Sequence, residues 1–66
     1  PGLSTREREV LALLARHHTN AQIAEALCIS TTTASKHVHN IFGKLGASSR
    51  THAIAKGRTL GILPQG

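Results

Sequence analysis

Between Thr31 and Leu45 the apolar residues Ala34, Val38, Ile41 and Leu45 fall at i, i+4, i+7 and i+11, with Phe42 beside them. This is the repeat of an α-helix with one buried face, and no strand reproduces it. At about 100° per residue, Thr32, Lys36, His39 and Gly43 point the opposite way, with Ser35 and Asn40 on the flanks. None of these six is apolar enough to require burial. A helix so divided is stable only against other helices or a sheet, so the rest of the chain must supply its partner.

The rest of the chain is helical in pattern as well. Ser4-Thr5-Arg6-Glu7 has the S-x-x-E form of a capping box and opens a helix with Val10, Leu11 and Leu14 on its apolar stripe and Leu13 at its margin. Thr19-Asn20-Ala21-Gln22 repeats the logic as T-x-x-Q ahead of Ile23, Ala24 and Leu27. Cys28-Ile29-Ser30 breaks the periodicity, and the hydroxyls of Thr31, Thr32 and Thr33 are suited to capping the third helix. Gly46 reads as a stop, Ser48-Ser49 as a fourth cap, and Gly61 as a last stop after Leu60. The sequence therefore predicts an all-α, four-helix domain with helices at about 4–16, 19–27, 31–45 and 49–60, followed by a frayed tail from Leu63. With 66 residues, one Phe and no Trp, Tyr or Met, it is a single small domain whose core is almost entirely aliphatic. Cys28, the lone cysteine, is expected as a small core residue.

Charge narrows the class of partner. Eight Lys or Arg stand against three acids, a formal net charge of +5 with five His besides, and all three acids (Glu7, Glu9 and Glu25) precede the third helix. From Ser30 to Ser48 no carboxylate opposes a polyanion, and neutralising phosphates releases counterions. One cysteine excludes an internal disulfide and a cysteine-based zinc site, and fits a reducing cytoplasm. No metal or other cofactor is expected: His37 and His39, two apart on a helix, diverge too widely to chelate one ion, and His17-His18 lack a nearby carboxylate. Without any Asp or a glycine-rich phosphate loop, neither a catalytic triad nor a nucleotide site can be assembled, so an enzyme is not expected. The apolar faces are used up in packing helices, which argues against a membrane surface. Aromatic platforms for unpaired bases are missing. Double-stranded DNA is the partner that remains.

A short helix, a turn of about three residues and a longer helix with a polar outer face form the helix-turn-helix pattern, whose second helix enters the major groove. A plain helical hairpin would satisfy the packing residues Ile23, Leu27, Ile29 and Ala34 equally well; the chemistry of the outer face favours the DNA reading. Lys36 can donate to guanine, and Thr32, Ser35, His39 and Asn40 can reach base edges or phosphate oxygens.

On these residues the chain resembles the LuxR/FixJ (GerE-like) family of bacterial regulators. The resemblance runs from Leu3-Ser4-x-Arg6-Glu7-Arg8-Glu9-Val10-Leu11 through Thr19-Asn20-x-x-Ile23-Ala24 and Ile29-Ser30. It continues at Thr33, His37, Ile41, Lys44-Leu45-Gly46, Arg50 and Ala53. It implies base reading by Ser35, Lys36 and His39, and backbone contacts or helix anchoring by Asn20, Thr31, Thr33 and Lys44, to which the chemistry of the outer face adds Thr32 and Asn40 as backbone contacts. It also implies a homodimer on DNA through the fourth helix (Ala53, Ile54, Gly57 and Leu60) that is monomeric in isolation. RNA polymerase is a further expected partner. The chain is then the C-terminal piece of a longer cytoplasmic regulator with a sensing domain upstream. The alternatives are a sigma-factor-like promoter module and a helical protein-interaction domain. Three departures stand out: Thr33-Ala34-Ser35 replaces the family's usual Thr-Val-Lys, leaving Lys36 to supply the cation; His17 stands where a Gly usually ends the first helix; and Gly57 stands for the more usual Ala.

Overall fold

A computed structural model describes residues 2–63 as four helices: α1 (Thr5–Ala15), α2 (Asn20–Leu27), α3 (Thr31–Leu45) and α4 (Arg50–Thr59). Among the described residues there is no strand. Each helix opens in the same way. Ser4, Thr19, Ser30 and Ser49 hold extended backbone, and each side-chain oxygen accepts the N–H of the residue three further on: Glu7, Gln22, Thr33 and His52. In α1 and α2 the box is reciprocal. Glu7 Oε1 accepts the Ser4 N–H at 2.9 Å, and Gln22 Oε1 accepts that of Thr19 at 2.8 Å. The cap of α3 is Ser30, not one of the three threonines expected from sequence. Thr31 is already helical, and Thr33 contributes its hydroxyl to the cap, 2.9 Å from Ser30 Oγ.

The helices also close alike. In each case an N–H bonds back five residues (His18 to Leu13, Ile29 to Ala24, Ala47 to Phe42, Ile62 to Gly57), and the N–H before it bonds back three. This is the Schellman closure, which needs one residue in the left-handed region. Gly46 and Gly61 supply it at φ 65° and 77°, but His17 and Cys28 supply it at 65° and 58°. The expected strain at His17 is therefore present, and Cys28 carries the same. Cys28 is exposed, which corrects its assignment to the core: a left-handed residue after a helix points outward. The residue after it is the one that turns inward, and Ile29, Ala47 and Ile62 all pack against the core.

The core gathers Leu3, Val10, Leu11, Leu14, Ile23, Ala24, Ala34, Val38, Ile41, Leu45, Ala53 and Leu63. Both α1 and α3 pack against each of the other helices. Leu63, expected to fray, is buried; the rest of that tail, from Pro64, lies outside the described residues. Two of the four positions expected to meet a second copy, Ala53 and Gly57, face the domain's own interior. A Cβ on Gly57 would stand 2.9 Å from both Leu11 Cδ2 and Leu63 Cδ1. The close approach at Gly57 is to its own chain, not to a partner helix.

Candidate nucleic-acid interface

The helix-turn-helix comprises α2, the three residues Cys28, Ile29 and Ser30, and α3. The turn is short because Cys28 reverses the chain and Ser30 at once caps the next helix. Ala34, Val38, Ile41 and Leu45 are buried along α3, as the period requires, and this fixes which side faces out. Thr32, Ser35, Lys36, His39, Asn40 and Gly43 are all exposed, and Thr31 with them. His37 lies half-buried at the margin. The three residues expected to read bases therefore share one open face.

The residues expected to anchor a phosphate backbone divide. Thr31, Thr32 and Asn40 are exposed, whereas Thr33 is half-buried and tied into the cap. Asn20, at the start of α2, accepts Arg50 Nη2 on Oδ1. Arg50 Nη1 also reaches the His18 carbonyl at 3.4 Å. A guanidinium only donates, so the amide oxygen of Asn20 is the atom turned toward α4. Lys44 is committed inward: its Nζ donates to Glu7 Oε1 at 2.7 Å, linking the last turn of α3 to the first turn of α1. The Lys44 hydrogen bond and then the Ser4 N–H hold the Glu7 carboxyl below its ordinary value, against the opposing effect of burial. Neither Arg50–Asn20 nor Lys44–Glu7 was read from the sequence. The only trace of either was a polar residue in each member of two distant motifs.

Of the expected dimer positions, Ile54 is half-buried and Leu60 is 60% exposed. At about 100° per residue they lie some 120° apart around the axis. Ile54 borders an open groove of about 540 Å³ between the end of α1 and α4, lined also by Leu14, His18, Arg50, Thr51 and Arg58. His18 Nδ1 is buried there without a hydrogen-bond partner among the described residues. Among the described residues, no three His, Cys or Glu side chains are grouped to hold a metal ion, and no helix is long and apolar enough to cross a membrane.

A four-helix domain in which a tight turn leads from α2 into α3, a helix with an exposed, acid-free outer face, defines a helix-turn-helix module of the DNA-binding kind. The chain belongs to the luxR family of bacterial regulatory proteins, whose family model matches residues 1–56. It is 40% identical over 62 residues to the HTH-type transcriptional activator RamA of Corynebacterium glutamicum, covering 94% of this chain and 22% of RamA. To the spore germination protein GerE of Bacillus subtilis it is 40% identical over 63 residues, 96% of this chain and 85% of GerE. The solved structure of the transcription factor GerE superimposes with a TM-score of 0.88 at 39% identity, over 97% of this chain and 96% of that one. The response regulator ChrA of a heme-sensing two-component system gives 0.91 at 38% identity, over 96% of this chain and 31% of ChrA. The chain thus spans most of GerE but less than a third of the longer regulators it resembles.

Proposed function

We propose that this domain binds double-stranded DNA in a sequence-selective way as the output module of a bacterial transcription regulator, with α3 in the major groove. Ser35, Lys36 and His39 meet base edges. Asn20, through its NH₂ group, and Thr31, Thr32 and Asn40 meet the phosphate backbone, with Thr33 securing the start of α3. The single observation that carries this reading is the exposed face of α3, which has the Lys36 cation, His39 and hydroxyls but no carboxylate, on a helix whose other side is fixed in the core. A helix about 10–12 Å across fits the major groove, about 12 Å wide. The function is one of binding, without a catalytic step, and its place is the bacterial cytoplasm.

Two copies meet on DNA through the outer side of α4, where Ile54 and Leu60 remain after Ala53 and Gly57 are assigned to the core. So small a contact leaves the isolated domain monomeric until two half-sites, with centres about 34–36 Å or a multiple apart, bring copies together. RNA polymerase is a further partner in this reading, since a relative is described as a transcriptional activator.

The test starts from selection of bound duplexes out of a random pool, followed by titration of wild type and Lys36→Ala against the selected site and a scrambled one. Loss of about 1–3 kcal/mol on the selected site alone is the expected result for a base contact. An equal loss on both duplexes would remove Lys36 from base reading. Failure of the wild type to bind either duplex would remove the function.

A further inference from the structure

Glu7 is a buried carboxylate in a domain whose partner is a polyanion. Its side chain is 7% exposed, and its ion-pair partner among the described residues is Lys44, half-exposed on the last turn of α3. The same oxygen, Oε1, also accepts the Ser4 N–H that starts α1. Capping explains the presence of an acceptor there, and Gln22 does the equivalent work in α2 without any charge. It does not explain why a full negative charge is buried and joined to a residue 37 positions away.

The position of Lys44 around α3 suggests the answer. Counting about 100° per residue, it lies roughly 90° from the centre of the buried stripe and about 80° from Lys36. A tether at right angles to the buried direction adds resistance to rolling of the helix about its own axis. Side-chain tips stand about 5–6 Å from the axis, so a roll of about 10° displaces Lys36 or His39 by about 1 Å. Recognition geometry tolerates about half that.

We infer that Glu7 is a positioning residue for DNA recognition, and that its bridge to Lys44 locks the roll of α3 so that Ser35, Lys36 and His39 meet the groove in register. Lys44 accordingly spends its charge on this lock and is not a phosphate contact, which replaces the role expected for it from sequence. The inference rests on the assignment of α3 to the major groove.

The test is opposed in sign to simple electrostatics. Glu7→Gln keeps the capping acceptor and makes a domain of net charge +5 more positive by one, which by charge alone tightens DNA binding. The lock predicts the reverse: about five- to tenfold weaker binding to a duplex selected by the wild-type chain, part of one base contact. Affinity for scrambled duplex should not fall, so the ratio of selected to scrambled affinity drops, and the slope of log affinity against log salt should not decrease. Lys44→Met should do the same, and the double variant should be no worse than the weaker single. Ser4→Ala, which weakens the start of α1 but keeps the ion pair, should lower thermal stability without lowering the ratio of selected to scrambled affinity. All are compared where far-UV circular dichroism shows them folded; if Glu7→Gln does not fold, the half-exposed Lys44→Met decides. Selected-site binding by Glu7→Gln as tight as wild type overturns the inference. So does a fall of about one in the salt slope for Lys44→Met, the mark of a lost phosphate contact. Absence of duplex binding by the wild type would instead defeat the groove assignment and the inference with it.

Discussion

Gly57→Ala sets two effects of similar size against each other. Alanine in a helix interior is favoured over glycine by about 1 kcal/mol, so on helix preference alone the variant is more stable. At this position the new methyl would lie 2.9 Å from Leu11 Cδ2, 2.9 Å from Leu63 Cδ1 and 3.1 Å from Leu63 Cγ, all too close. Leu11 is fully buried and has no space to retreat into. Leu63 is held by its own N–H, which donates to the Gly57 carbonyl at 3.1 Å, as does that of Ile62 at 2.8 Å. Relief therefore requires the segment after α4 to move away from α1. Forcing a methyl into a packed core costs about 1–3 kcal/mol. Subtracting the gain in helix preference leaves a net loss of about 1 kcal/mol, or about 4–8 °C in Tm for a domain of this size. Gly43→Ala is the control: Gly43 is exposed in α3, a Cβ there would have nothing within 4 Å, and stability should rise by about 1 kcal/mol. Thermal unfolding followed by circular dichroism measures both. A Tm for Gly57→Ala that rises as much as that of Gly43→Ala would refute the close packing of α4 on α1. Self-association should not change in Gly57→Ala, because the residue faces inward.

The acid stability of the domain should carry the signature of Glu7. A carboxyl held below its ordinary value in the folded chain contributes stability that is complete above the unfolded value of about 4.3, and that is lost as pH falls through the lower folded value. Urea unfolding at a series of pH values should show the gap between wild type and Glu7→Gln closing below about pH 4.3, whereas a gap independent of pH would mean that the charge contributes nothing. Cys28→Gly should raise stability by about 1 kcal/mol, because it relieves a left-handed residue that is exposed and buries little. A lower Tm for this variant would show that the Cys28 side chain carries packing that its exposure denies.

The limits of the helices were legible in the sequence because they are set by contacts within one turn. Ser4 with Glu7 and Thr19 with Gln22 need no other part of the fold, and Gly46 and Gly61 mark their own turns. Cys28 escaped notice for a local reason: a left-handed closure announces itself through glycine, and here a cysteine fills the place. At Thr31 to Thr33 several hydroxyls competed for one cap, and Ser30 took it because its backbone is the last in extended conformation before the helix.

The expected site divides along the same line. The exposure of Thr32, Ser35, Lys36, His39 and Asn40 came from the period of a single helix, whose buried stripe dictates its opposite face. Lys44 and Asn20 looked equally available, but each is engaged by a residue from another helix, Glu7 and Arg50. On α4, which has fewer and smaller apolar residues, the pattern did not reveal which side was inward. Ala53 and Gly57 proved to be the buried pair, leaving Ile54 half-covered and Leu60 outside.

The order of amino acids alone decided that there are four helices, where each begins, and which stripe of α3 is acid-free and turned to solvent, since these depend on neighbours a few residues apart and on a repeat of about 3.6. Only the packed structure decided which cations remain for a polyanion and which small residues admit another helix. Those outcomes depend on crossings between segments 30 to 46 residues apart, and no periodicity along the chain encodes a crossing.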